Sequence, residues 1–184
     1  MESIREIFRI GAGPSSSHTM GPKRAAELFR ERYHSARAFR VTLYGSLAAT
    51  GKGHLTDVAI TQALAPVQSE IVWKPEEILP EHPNGMQFEA LDESGQREGD
   101  AWVVFSIGGG ALRIPGEVRE TREVYPHHTL ADIIRWCEDA GLPLWRYVRE
   151  YESREVWEYL GEVWSVMQRA LHRGIKAEGQ LPGG

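Results

Sequence analysis

The sequence predicts an α+β fold: a mixed or antiparallel sheet with packed helices, followed by a helical C-terminal extension. Three patterns carry this expectation. Apolar residues alternate with polar ones in "ARAFRVTLYGS", and "MQFEALD" and "AWVVFSIGG" are alternating or apolar runs of strand length. Helical spacing occurs before and between these runs, but without the regular strand-helix alternation of a parallel fold. Beyond residue 120 only helical patterning remains.

In "PKRAAELFRERYHS", Pro22 stands in the first turn, where a missing N–H costs nothing, and Ala25, Leu28, Phe29 and Tyr33 recur at helical spacing. The strand that follows puts Phe39, Val41 and Leu43 on one face and ends at Gly45. "GKGH" reads as a loop, and "LTDVAITQALAP" as a short helix stopped by Pro66, with Thr56 and Asp57 placed to cap it. "EHPNGM" reads as a turn with Asn84 and Gly85 at positive φ. "ESGQREG" joins the next two strands as a hairpin. Two helices follow, a Thr-capped "TLADIIRWCEDAG" ending on glycine and "LPLWRYVREYES". In the last and longest, from Arg154 to Ala177, the residues Val156, Leu160, Val163, Met167, Leu171 and Ile175 form one apolar stripe.

Composition narrows the function. With 184 residues, 41% hydrophobic residues and six tryptophans, the chain can bury a sizeable core. It has no run of ~18 apolar residues to span a bilayer, and "MESIREIFRI" is acidic where a secretory signal is basic, so a cytoplasmic protein without membrane partners is expected. Cys137 is the only cysteine, which excludes an internal disulfide and a cysteine metal cage made by this chain. The net charge is −5, yet residues 1–60 carry nine Lys/Arg against five Asp/Glu, while the remainder carries twelve against twenty-one. So modest a basic excess suits a small anion better than nucleic acid.

The basic third contains "GAGPSSSHTMGPKRAA", with three serines, a histidine and a threonine at the mouth of a helix. Hydroxyls and free N–H groups there form a concave donor surface, and the helix dipole adds partial positive charge, so a carboxylate or phosphate fits. His18 within it can exchange a proton with whatever the anion is attached to. The plainer reading has Ser17 or Thr19 as an N-cap and His18 as a surface residue, but four hydroxyls and a histidine exceed what capping needs.

A second polar loop, "YGSLAATGKGHLTD", offers His54 as a second acid/base group, though a structural or exposed histidine fits the residues equally well. It lacks the G-x-x-x-x-G-K-[ST] order of a phosphate loop, which excludes that mode of nucleotide binding. Asn84 is a candidate ligand contact or only a turn residue. "SIGGGAL" is a nest of N–H donors or a flexible strand exit. His127 and His128 are expected to be exposed, since nearby metal partners are lacking.

"GPSSSHTMGPKRAA", "YGSLAATGKGHLTD", "HPNGMQFEA" and "FSIGGG", in this order, resemble the N-terminal β domain of the bacterial iron-sulfur L-serine dehydratases, and "MQRALHRGIKAEGQLPGG" resembles the passage into their α domain. The likeness covers essentially the whole chain. It implies a β-type substrate-pocket domain over residues 1–152 and a linker helix over 153–184. The implied reaction is deamination of L-serine to pyruvate and ammonia with a 4Fe-4S cluster. Ser15, Ser16, Ser17 and Thr19 would hold the substrate carboxylate, His18 and His54 would be the acid/base candidates, and Asn84 and Gly85 would border the pocket. The cluster would be held by cysteines of an α domain or subunit, since the chain stops at "LPGG" where that domain should begin; a fragment or truncated product is expected in preference to a subunit whose partner carries the cysteines, and a homo-oligomer is expected. The competing expectations are a non-catalytic small-anion-binding regulatory module and a structural or dimerisation piece.

Overall fold

The computed structural model describes residues 1–117 and 122–180. The chain forms two compact units, one from Gly11–Glu117 and the other from Met1–Ile10 together with Val118–Gly179. The terminal "LPGG" lies outside the described residues.

The first unit runs α1 (Gly21–Arg32), β1 (Ala38–Tyr44), α2 (Gly45–Thr50), α3 (Thr56–Leu64), β2 (Gln68–Lys74), β3 (Gly85–Leu91), β4 (Arg97–Gly108) and β5 (Ala111–Arg113). The strands make one sheet in the order β2-β1-β3-β4-β5, with β1 and β2 parallel and the other pairs antiparallel. This is the mixed sheet of the predicted α+β class. The period-2 alternation sends Phe39, Val41 and Leu43, with Met86, Phe88, Trp102 and Val104, into one core with Ala25, Ala26 and Phe29 of α1 and Ile60 and Leu64 of α3. Phe29 is its hub: its ring centroid lies 4.7 to 5.9 Å from those of Tyr33, Phe88, Phe39 and Trp102. The alternate positions carry charge, with Arg40 in register between Glu70 and Glu89 and its Nε 2.8 Å from the Glu70 carboxylate. One face of the sheet thus packs the helices and the other is polar.

Two elements had no clear local signal. β2 contains no buried residue and pairs only through a parallel crossover that no short window can reveal. The predicted strand does end at Tyr44–Gly45, but α2 follows immediately instead of a loop. Gly45 has φ +49, which lets the chain turn straight from strand to helix, and a Cβ there would stand 2.6 Å from the Pro83 carbonyl oxygen. Asn84 and Gly85 are not at positive φ. Gly85 instead opens β3, and it is small because a Cβ would lie 2.8 Å from Leu79 Cδ1.

The second unit contains α4 (Leu130–Ala140), α5 (Leu144–Tyr151) and α6 (Arg154–Lys176). Thr129 caps α4 by accepting from the Asp132 N–H, and Gly141, at φ +63, ends it as read from sequence. Tyr125, Ile133, Cys137 and Tyr147 form its core. The buried Glu152 carboxylate accepts from Tyr125 Oη at 2.5 Å, Ile4 N at 2.8 Å and Ser3 Oγ at 2.9 Å. Burial and this carboxylate push the Tyr125 hydroxyl well above its ordinary pKa. His127 is half-buried rather than exposed, because its Nδ1 meets Tyr147 Oη at 3.0 Å. Val156 is buried, but from Met167 to the end of α6 every residue is exposed. Among the described residues no helix is long and apolar enough to cross a membrane.

Candidate functional site

α1 is preceded by a π-helical turn, Ser16–Met20, in which the N–H of Gly21 bonds back to the Ser16 carbonyl. Such widened turns mark functional sites more often than chance. Its N-cap is Ser15, not Ser17 or Thr19: Ser15 Oγ accepts from the His18 N–H at 3.1 Å. The hydroxyls are not equivalent. Ser17 Oγ meets His18 Nδ1 at 2.9 Å and lies 3.5 Å from Ser15 Oγ. Thr19 is buried, taking the Ser15 N–H at 3.3 Å and donating to the His54 carbonyl at 2.8 Å. Ser16 is exposed, and its hydroxyl has no hydrogen-bond partner among the described residues.

The 51–56 loop closes on this turn. α1 and α3 pack side by side, which brings their N-terminal ends, and so His18 and His54, together. The two rings lie 4.8 Å apart at 39°. Thr56 is fully buried and does not cap α3; its Oγ1 donates to the His18 carbonyl at 2.5 Å. The N-cap is Leu55, at φ +56, a left-handed conformation that costs a branched residue about 1–2 kcal/mol. Backbone bonds from His54 and Thr56 to the Gly51 carbonyl hold it there. Lys52 leaves the site to lie over the Trp73 ring.

His54 Nδ1 lies 2.9 Å from the Thr50 carbonyl, which can only accept, so Nδ1 carries the proton in neutral His54 and Nε2 keeps a lone pair. His18 is held at both nitrogens, Nδ1 by Ser17 and Nε2 by Ser46 Oγ at 3.1 Å. Burial, and then His54, lower the His18 pKa below 6.5, while Ser46 opposes the shift in part. His18 is therefore neutral at pH 7 and able to accept a proton.

Asn84 is near this group rather than in it. Its Nδ2 donates to the Ser106 carbonyl at 3.2 Å, and the neighbouring Pro83 carbonyl accepts from Ser46 N at 3.0 Å. Ser106 Oγ is buried without a hydrogen-bond partner, close enough that a Cβ on Gly21 would overlap it. Gly108, Gly109 and Gly110 all have positive φ and make the β4–β5 turn, so this run is a strand exit. Ser46 and Ser106 went unnoticed in the sequence. The only signal for Ser46 was a polar residue just after the glycine that ends β1.

With this geometry in view, comparison with known proteins is decisive. The family model described as "Serine dehydratase beta chain" matches residues 3–70 and 65–116. The chain belongs to the serine dehydratase β-chain family. L-serine dehydratase TdcG of Escherichia coli is 32% identical over 236 aligned positions, covering 100% of this chain and 51% of the relative. The L-serine dehydratase of Haemophilus influenzae is 33% identical with 100% and 51% covered, and that of Streptomyces coelicolor 33% identical with 99% and 51% covered. One of Helicobacter pylori reaches 52% identity, over 62 residues. The chain thus spans about half the length of the relatives it matches end to end.

An iron-sulfur cluster does not fit the donor set of this β chain. Its single cysteine is buried in the helical unit, and the described residues contain no group of three or more His, Cys, Asp or Glu able to hold a metal.

Proposed function

We propose that this chain supplies the substrate-pocket half of an L-serine ammonia-lyase, which converts L-serine to pyruvate and ammonia. The observation that carries the proposal is the pair of imidazoles 4.8 Å apart beside a turn of hydroxyl and N–H donors. Loss of the Cα proton and the β-hydroxyl releases water and leaves an enamine, whose imine tautomer is hydrolysed to pyruvate and ammonia.

In this reading Ser16 and the free N–H groups of Ser16 and Ser17 receive the substrate carboxylate, with Ser15, Ser17 and Thr19 shaping the cradle around it. Neutral His18, together with His54, whose Nδ1 is tied to the Thr50 carbonyl and leaves Nε2 to face the substrate, holds or moves the protons. Asn84 and Gly85 border the pocket. The 4Fe-4S cluster is held by an α domain that corresponds to the half of the relatives not matched by residues 1–184, and the exposed Trp164, Met167, Leu171 and Ile175 of α6 are the face on which that domain docks. Support for this partner comes from the unmatched half of the relatives.

The test is to add the cluster-bearing half of a close homologue to this chain and measure pyruvate formation. His18→Ala and His54→Ala should each lower kcat by ~10²-fold or more, the usual scale for losing a placed proton-transfer group. Ser16→Ala should act mainly on KM, since a carboxylate contact is present in ground and transition states alike. Near-normal kcat in both histidine variants would remove their assignment. Serine binding without turnover in any assembly would make the chain a small-anion-binding module instead.

A further inference from the structure

α2 is only six residues long, yet both imidazoles are tied to it. Its second residue, Ser46, meets His18 Nε2 through Oγ at 3.1 Å, and its last, Thr50, takes the His54 Nδ1 proton on its carbonyl at 2.9 Å. The two ties are one helical turn apart, and Thr50 Oγ1 closes that turn by donating to the Ser46 carbonyl at 2.9 Å. The segment itself is fixed: Leu47 is fully buried in the core, Gly45 N donates to the Glu77 carbonyl at 2.8 Å, and Ser46 N to the Pro83 carbonyl at 3.0 Å. Capping does not explain the serine, because the N-cap of α2 is Tyr44 and no side chain caps the helix.

We propose that Ser46 is a positioning residue: from a rigid helical turn that also anchors His54, its hydroxyl fixes the ring orientation of His18. Ser17 alone would not do this. It lies next to His18 in the same turn, and a single hydrogen bond at Nδ1 leaves the ring free to pivot about that contact. A second bond at Nε2, from an element outside the turn, removes the pivot and sets the separation of the two imidazoles. A serine hydroxyl both donates and accepts, so it follows His18 through a change of protonation where a lysine or carboxylate would favour one state. The role in catalysis rests on His18 and His54 being the proton-transfer pair; the role in holding the ring does not.

The experiment separates the two. Ring-nitrogen NMR on the chain alone, in the wild type, Ser46→Ala and Ser46→Thr, reads the hydrogen bond at each His18 nitrogen directly. Ser46→Ala should move the His18 Nε2 resonance and speed exchange of a proton carried there by about tenfold, since the bond that shields it is gone. Ser46→Thr should restore the wild-type pattern, and the exposed His34 and His172 should not respond in either variant. Unchanged His18 nitrogens in Ser46→Ala overturn the proposal, and so does an equal shift of the two control histidines. In the two-part enzyme, Ser46→Ala should then lower kcat by about tenfold with KM held within about twofold, as expected when a reacting group is misplaced rather than removed. If His18→Ala keeps full kcat, the catalytic reading fails while the ring nitrogens still decide the positioning.

Discussion

Thr19 and Thr56 are reciprocal braces: each donates its hydroxyl to the main-chain carbonyl of the histidine on the opposite loop, Thr19 to His54 and Thr56 to His18. Both are buried, so neither carbonyl can turn to water for a substitute. Thr56→Val keeps the shape and removes one donor, and should cost about 1–3 kcal/mol in chemical unfolding. A cycle with Thr19→Val should show coupling of at least about 0.5 kcal/mol, because either brace holds the loops that the other needs. Two additive effects would mean that the loops are held independently.

The depressed pKa of His18 predicts acid sensitivity. Its folded-state value lies below the ordinary 6.5, so the unfolded chain binds the proton more readily; stability is full above pH 6.5 and is lost as pH falls from there through the folded-state value. His18→Gln cannot bind the proton. Comparing unfolding midpoints at neutral pH and at pH 5.5 should show a smaller loss in this variant than in the wild type; equal losses would place the acid-sensitive group elsewhere.

Leu55 tests whether strain is stored beside His54. Glycine accepts φ +56 without penalty, so Leu55→Gly should leave stability unchanged or raise it by up to about 1 kcal/mol, unlike most leucine truncations. A loss above about 2 kcal/mol would show that packing of the leucine side chain outweighs the backbone term.

Docking of the second half should depend on α6 but not on the fold of this chain. Met167→Glu places a charge on an exposed position, so the melting temperature of the chain alone should be unchanged. The same charge buried in an interface lacks a partner, and pyruvate formation by the two-part enzyme should fall sharply. Full activity would move the docking face away from α6.

Legibility in the sequence followed the range of the forces involved. α1, α3, the β3–β4 pair and the capped α4 are written in local periodicity and capping residues and appear where they were read, except that the N-cap of α3 is Leu55, without the side-chain cap expected from Thr56 or Asp57. β2 is fixed by pairing with β1 across α2 and α3, and its half-exposed side chains leave no strong alternation. At the site, the donor turn was visible because Ser15 to Thr19 are consecutive. That His54 lies against His18 follows from the packing of α1 on α3, and which hydroxyls are spent on structure follows from contacts across 35 to 38 residues. No spacing rule reports such contacts.

The Glu152 carboxylate also says something about the order in which this molecule is made. Ser3, Ile4 and Phe8 leave the ribosome well before their hydrogen-bond partners Glu152 and Tyr159, which lie 148 to 151 residues later. At ~5–20 residues per second the opening segment waits several seconds or more for its partners, while Gly11–Glu117 emerges entire and can close its own core. Residues 1–10 therefore find these partners only after Gly11–Glu117 has emerged, and a nascent chain halted before Glu152 would carry a finished imidazole pair while Ser3 and Ile4 still lacked their carboxylate partner.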